Sequence, residues 1–583
     1  MIQEIIDLVY TQGANGWRTS LPLAMLLLAV TTYTVTILSY LRTKYIHGES
    51  QEPPIIPYWL PGLGSTIPFV RDTKGFIDNA VRKWGDSTPY TIKLAAFKGY
   101  LITQPEHFGP LLKATRFLSN KKVMAELMRD VFGTPPNVMP MYLGDNSGIE
   151  AKPVPGTSIP SHQRIWHNQH VDSAKYLTGD VLRGLAARFT STLSEAISKA
   201  DPNDPADSGE WVTIDDFYPW WRARVFAAAT TSIFGPHLLR LNPTLEQDFW
   251  NFADSIPTLV KRYPAWMAPR AHAARNKMID SVKKWHAHAR EHSDYSISGD
   301  DAPKWDEYWG SVWLKVRQRW GQATGTMDDG GLASEDLALA IAANANAIPM
   351  AFWYLVEIYR DPALLSRVLP ELEAAVISPA ADNTPAAFDL SPVLASPLAQ
   401  SIYAEVLRMR ISLLLNRCAD HKDHRIGPWT LKKGAYMTLP TAYIGYHPKA
   451  WEPYTDGGKA PIDEFWAERF LVPDEAKSAQ TEDAVSEKKE PKMRFSTEHL
   501  EGIWVPYGGG ALMCPGRHFA KQEMMGSATV FAHYYELEII SGKAPPMDEK
   551  YYGMGAQQPA EKTPVRIRRR HGGWKAAGNG QSL

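Results

Sequence analysis

VPYGGGALMCPGRHFAKQE, residues Val505 to Glu523, is the stretch on which the reading of this chain turns. Three glycines, Gly508 to Gly510, precede Cys514. Pro515 and Gly516 follow it, and then a helical pattern begins. Glycine allows φ > 0 or a close backbone approach. A cysteine just before a helix has its thiolate stabilised by the positive end of the helix dipole and by nearby amide donors. That arrangement suits an axial thiolate to haem iron, which pushes electron density onto the metal and favours O–O cleavage. A buried free cysteine in a glycine-rich loop is the competing reading. It fits a lone cysteine, but not the whole aromatic-x-x-Gly-x-x-x-Cys-x-Gly pattern of Tyr507, Gly510, Cys514 and Gly516.

Composition bounds the rest. The 583 residues are 44% hydrophobic and 21% charged, which excludes a disordered or fibrous chain. Lys+Arg 62 against Asp+Glu 63 leaves no basic field, so nucleic acid is not an expected partner. Two cysteines, Cys418 and Cys514, exclude a disulfide scaffold and a four-cysteine zinc site. Forty-four prolines and 20 tryptophans imply many loops and a large aromatic core.

Near the N-terminus, Leu21 to Leu41 carries no charge in 21 residues. A membrane-spanning helix needs about 20 such residues, and a signal-peptide core is shorter. Residues 21–41 therefore read as a retained single-pass anchor after a short segment, 1–20. Arg18 before it and Arg42 and Lys44 after it favour a cytoplasmic C-terminal side. The proline- and glycine-rich residues 42–64 read as a stiff spacer, because proline fixes φ and removes a backbone donor. Residues 65–583 read as one large domain. Thr88 to Thr103 is β-like around a turn at Lys98-Gly99. Helical periodicity then dominates: Val171–Lys199, Ala223–Ile233, Ala271–Glu291, Leu337–Tyr359 and Pro397–Arg410. The fold class is mostly α with a minor β part. Lys477 to Lys492, charged and nearly free of large apolar residues, reads as a flexible insertion. Asp300 to Leu332 reads as a second insertion.

Two further motifs stand upstream of Cys514: Glu405-Val-Leu-Arg408 and Trp466-Ala-Glu-Arg469-Phe470. With all three in this order, the chain resembles the cytochrome P-450 superfamily of haem-thiolate monooxygenases, over about Pro54 to Arg570 plus the anchor. The resemblance implies the cytochrome P-450 fold as a single large domain. It implies haem (heme b) bound through Cys514, with Gly510 and Gly516 shaping the ligand loop. Glu405, Arg408 and Arg469 would form a charge-assisted network beside the haem. Arg417 matches a position that commonly holds a haem propionate. In Trp166-x-x-x-His170, His170 stands where an arginine is usual, and Leu512 replaces a frequent Arg or His. The implied partners are an NADPH-dependent flavoprotein reductase, a lipophilic small-molecule substrate and the membrane, with the body on the cytoplasmic side of the endoplasmic reticulum. The Cys-Pro-Gly-Arg-His-Phe-Ala-Lys run resembles filamentous-fungal members, many of which tailor terpenoid, steroid-like or polyketide secondary metabolites.

The helix expected at Leu337 to Tyr359 starts after Ser334 as N-cap, with Glu335 and Asp336 in its first turn. Most members of the superfamily carry an acid–alcohol pair at its centre that relays protons to the oxygen being activated. Here Ala345 falls at the acid position and Asn346 at the alcohol position. The Asn-x-x-Pro-x-x-Phe-Trp run looks like the branch containing cholesterol 7α-hydroxylase and prostacyclin synthase, which includes both oxygenases and isomerases. Asn346 is the candidate catalytic residue, able to donate and accept hydrogen bonds. Its competing role is to satisfy backbone groups freed where Pro349 bends the helix. The expectation is a monooxygenase. The alternatives are a haem-thiolate isomerase or dehydratase acting on a peroxide without external electrons, and a non-catalytic haem-binding member. His288 and His292, at i,i+4, lack the His-Glu-x-x-His order and show no third ligand, so they read as a solvated helix face.

Overall fold

The computed structural model describes residues 17–46, 51–95, 97–199, 205–300, 302–379, 384–474 and 492–570. Helix takes 53% and strand 14%, the mostly α balance that the periodicity implies. The chain folds as two compact units, residues 1–120 with 414–440, and residues 121–413 with 441–583.

The first unit opens with one helix, Trp17–Tyr45. It runs past the expected anchor at both ends. Leu21, Met25, Leu28, Val35 and Leu38 are exposed, whereas Thr36 and Tyr40 are buried. The last turns dock: Tyr33 stacks on Trp59 at 4.1 Å, and Lys44 Nζ donates to the Trp84 carbonyl at 3.0 Å. At 1.5 Å per residue, the stretch from Trp17 to Val35 is about 28 Å long, close to a hydrocarbon core.

The spacer reading of residues 42–64 is corrected here. Pro53, Pro54 and Ile56 are buried. The Ile56 N–H donates to Thr91 O, and the Thr91 N–H donates back to Pro54 O, both at 2.9 Å. A segment without proline donors at two positions still offers its carbonyls, and the first strand takes them. That strand, Tyr90–Leu94, pairs antiparallel with Phe97–Leu101. The turn therefore falls at Leu94–Phe97, not at Lys98-Gly99. Gly99 lies within the second strand, where a Cβ would come 3.2 Å from the Tyr436 carbonyl of the next strand. Tyr436–Pro440 continues the sheet and pairs antiparallel with residues 414–418 of the strand Ile411–Ala419.

The second unit holds the helical core. Ala347–Tyr359 is buried at every residue, and it packs against Arg517–Tyr534 and Pro397–Arg410. An apolar helix with no polar stripe has to be enclosed on all sides. Gly179–Ser198 and Phe217–Phe234 form the next layer. A three-stranded sheet of Tyr535–Ile539, Val565–Arg569 and Val212–Ile214 closes one side. The stretch 300–332, read as a second insertion, is packed into this unit. It carries the helix Val312–Ala323, whose Arg317 and Lys315 are buried, and Trp309 is wholly enclosed. Of the charged stretch Lys477 to Lys492, residues 477–491 lie outside the described residues. On its flanks, Leu471–Pro473 pairs antiparallel with Met493–Phe495.

Candidate functional site around Cys514

The loop Gly508–Gly516 ends on the helix Arg517–Tyr534. Gly508 and Gly510 sit at φ +73° and +66°, the left-handed region where only glycine is unstrained. These turns fold the loop back so that the Cys514 N–H reaches the Tyr507 carbonyl at 2.9 Å. Gly516 is different. Its φ is −74°, and a Cβ there would make only ordinary contacts with Cys514 Sγ and Leu177.

The Cys514 side chain is exposed, yet burial pushes its thiol above the usual range. An exposed group that is also desolvated sits in a recess. Backbone donors of Gly516 and Arg517 and the charge of Arg517 oppose the burial effect and favour the thiolate. Arg517 Nη1 also donates to the Cys514 carbonyl at 3.1 Å. The other cysteine, Cys418, is buried within a strand of the first unit.

Behind the loop, the Tyr507 and Tyr403 hydroxyls lie 2.7 Å apart, and both phenols are pushed well up, chiefly by burial. Glu523, two turns along the Cys514 helix, is buried with Oε1 unpartnered. Burial holds its carboxyl well above the usual carboxylate range. Neither the tyrosine pair nor the buried Glu523 was legible locally. Both depend on which helices meet.

Glu405, Arg408 and Arg469 come together with fully enclosed side chains. Arg408 grips Glu405 with two bonds, Nε to Oε2 at 2.7 Å and Nη2 to Oε1 at 2.8 Å. Arg469 Nε donates to Glu405 Oε1 at 2.8 Å, and its Nη groups reach the carbonyls of Tyr454, Ala460, Pro461 and Glu464. Every charge is thus paired and nearly every donor is used, which is the condition for a buried ionic cluster to be tolerated.

Asn346 stands at a break. The chain expected as one helix is two, Asp329–Asn344 and Ala347–Tyr359, with Ala345 and Asn346 between. The N-cap is Asp328, whose side chain accepts from the Gly331 N–H, and not Ser334. Glu335 and Asp336 are buried inside the helix. They are held there by Arg317, at 3.0 and 2.8 Å, and His286 also contacts Asp336 at 2.9 Å. The Ala556 N–H donates to Asn346 Oδ1 at 2.8 Å. An N–H can only donate, so the carbonyl end of the amide is identified and occupied. The free end, Nδ2, is a donor alone. Asn346 therefore does not tie down groups freed by Pro349. It ties the helix break to the strand Met554–Ala556. Gly555 permits this, since a Cβ at that position would lie 2.1 Å from Asn346 Oδ1.

His170 lies on the helix Ile165–Tyr176, half-buried. Burial holds its imidazole below the usual range, only partly offset by Glu150, so it is a neutral donor near pH 7. Arg417 belongs to the first unit. It is buried; Nη1 donates to the Asn416 carbonyl at 3.1 Å, and Nε has no partner. No carboxylate pairs it among the described residues, and burial lowers its pKa to about 10.

A family model described as Cytochrome P450 matches residues 238–563, which include Glu405, Arg408, Arg469 and the whole Cys514 loop. The chain belongs to the cytochrome P450 family. It is 34% identical to the cytochrome P450 monooxygenase efuG of Hormonema carpetanum, over 94% of this chain and 95% of that protein. It is 33% identical to the cytochrome P450 monooxygenase fsoE of Humicola fuscoatra, over 90% and 88%. Cholesterol 7-alpha-monooxygenase of Cricetulus griseus matches at 24%, over 90% and 94%. This P450 is an oxidoreductase, and its cofactor is haem held through a cysteine thiolate. The residues present fit that group. Cys514 offers a recessed thiol with amide donors aimed at the sulfur.

Proposed function

We propose that this P450 is a membrane-anchored monooxygenase that oxidises a lipophilic small molecule, with Cys514 as the residue that would hold the haem. The observation that carries this reading is the recessed Cys514 thiol with the Gly516 and Arg517 amides directed at it. Haem bound there supplies the activation of dioxygen for inserting one oxygen atom into a C–H or C=C bond, with electrons from NADPH delivered by a flavoprotein reductase.

The chain's own residues prepare that chemistry. Backbone donors to sulfur keep the thiolate from being too basic and hold it in one orientation. Gly510 shapes the ligand loop, and Gly516 keeps its approach free of a side chain. The Glu405–Arg408–Arg469 cluster braces the segment that precedes the loop. Arg417, a buried guanidinium with no carboxylate beside it among the described residues, calls for an anionic partner. His170 contributes a neutral hydrogen bond in place of the usual cation. Asn346 cannot titrate near neutral pH. Its Nδ2 orients a water, and the water moves the proton. Leu21–Val35 anchors the protein in the endoplasmic reticulum membrane with the body on the cytoplasmic side. Relatives among fungal P450 monooxygenases support a substrate from secondary metabolism.

The pairing of Ala345 with Asn346 keeps a second reading in play, an isomerase or dehydratase that consumes a peroxide. Reconstitution with a reductase separates the two. The expected result is product formation that requires NADPH and dioxygen. Cys514→Ser is expected to abolish the red-shifted carbon-monoxide band of the reduced protein, while Cys418→Ser keeps it. A band that survives in Cys514→Ser overturns the ligand assignment, and turnover without NADPH overturns the monooxygenase reading.

A further inference from the structure

Three imidazoles converge on the second unit away from the Cys514 loop. His288 and His292 lie one turn apart on the helix Pro269–His292, and His237 comes from a different helix, Pro236–Leu241. His237 Nδ1 is 3.1 Å from His288 Nε2. Donor atoms of His288, Glu291 and His292 all lie within 4.8 Å of one another. We propose that His237, His288, His292 and Glu291 form a binding site for one Zn²⁺ ion.

The His292 tautomer supports this assignment. His292 Nδ1 lies 2.9 Å from the His288 carbonyl. A carbonyl only accepts, so the proton is on Nδ1 and the lone pair on Nε2. Metal-binding histidines are held in this way, with the far ring nitrogen donating to a carbonyl or carboxylate. His237 Nδ1 faces His288 Nε2, the two sharing one proton, while its Nε2 has no hydrogen-bond partner and lies 3.5 Å from the Glu307 carboxylate. His288 now shares a proton with His237. It becomes a ligand by moving that proton to its own Nδ1, with no net proton lost.

Geometry and charge agree. Tetrahedral Zn²⁺ with bonds of about 2.0–2.1 Å spaces its donors ~3.3 Å apart. The His237–His288 pair is already at 3.1 Å. Glu291 is exposed and closes its remaining distance by rotamer change. Tyr308 stacks on His237 at 4.6 Å and on His292 at 5.2 Å, which fixes both ring planes. A solvated helix face requires none of this: neither a third imidazole from another helix nor a His292 tautomer set by a carbonyl. Arg240, at 3.9 Å from Glu307, is the competing cation for that carboxylate. An ion here would pin Pro236–Leu241 to Pro269–His292, adding to the bond from Lys284 Nζ to the Leu241 carbonyl.

The test uses the untagged, haem-loaded, full-length protein, equilibrated with buffered free Zn²⁺ and measured for zinc against haem iron. One zinc per haem at micromolar free Zn²⁺ is expected. His237→Ala and His292→Ala are each expected to lose at least tenfold in affinity, and Glu307→Gln about 10–100-fold. Zinc is also expected to raise the melting temperature of the parent protein but not of the double variant His237→Ala/His292→Ala. The carbon-monoxide spectrum reports that each variant still folds. Binding only at millimolar zinc, or full affinity in His237→Ala, overturns the proposal.

Discussion

Asn346 is held at one end and free at the other, and this asymmetry decides how its variants behave. Asn346→Ala removes the acceptor for the Ala556 N–H, at a cost of about 1–3 kcal/mol for a group left unsatisfied. It also removes the Nδ2 donor. If that donor orients the proton-carrying water, product per NADPH falls while haem content persists; positioned proton transfer contributes ~10²–10⁴-fold. Asn346→Thr restores an alcohol without the acid missing at Ala345, so it is expected to recover coupling only in part. An unchanged product-to-NADPH ratio with a lowered melting temperature would leave Asn346 as a structural tie alone. Glu523 gives a second test at this scale. Its carboxyl is held well above the usual range in the folded chain by burial. The unfolded chain releases that proton near the ordinary carboxylate pKa, about 4.3. Between those two values the native state binds more protons, so stability falls as pH rises. Glu523→Gln removes this slope. Its melting-temperature advantage over the parent is expected to widen from pH 5 to pH 8, and a constant gap across that range would show that the carboxyl titrates normally.

At the scale of elements, the broken helix shows where local pattern and tertiary contact part. Ser334, Glu335 and Asp336 have the composition of a helix start, and periodicity places them there. Two acidic residues inside a buried helix are costly unless a cation meets them. Arg317, from a segment that reads as an insertion, meets both, and Gln169 donates to Glu335 at 2.8 Å. With the charges neutralised, the helix extends back to Asp329. Arg317→Met is expected to cost about 3–5 kcal/mol, because it leaves two buried carboxylates with one cation lost. Denaturant melts of the haem-loaded protein measure this. A loss below about 1 kcal/mol would mean that water reaches the cluster. Glu405 and Arg408 behave differently. Their i,i+3 spacing makes the pair visible in sequence, whereas Arg469 joins only because residues 464–470 fold back over Glu405.

For the whole molecule, the N-terminal helix Trp17–Tyr45 combines an exposed apolar stretch with last turns that dock on residues 58–84. Deleting residues 1–41 is expected to release the chain from membranes, since the body carries its own core. It also removes Tyr33, Thr36 and Tyr40, which cover Trp59, Tyr58 and Trp84. A deletion of residues 1–32 keeps those contacts. It is expected to yield more monomeric, haem-loaded protein than the longer cut, measured by sedimentation and haem per chain. Equal yields would show that the docked turns contribute nothing.

The sequence by itself determined the family and the mostly α balance, and it singled out the Cys514 loop as the candidate site. Each of these lies in residue types at short fixed spacing: glycines that must take positive φ, a thiol ahead of a helix, and apolar residues at helical period. The tertiary structure decided what those residues touch. Arg317 against Glu335, Ala556 against Asn346, and His237 against His288 each join segments tens to hundreds of positions apart, and no local period encodes such a partner. The same limit explains the spacer at 42–64. Its prolines specify an extended backbone, but only the presence of Thr91 beside it turns that backbone into part of a sheet unit.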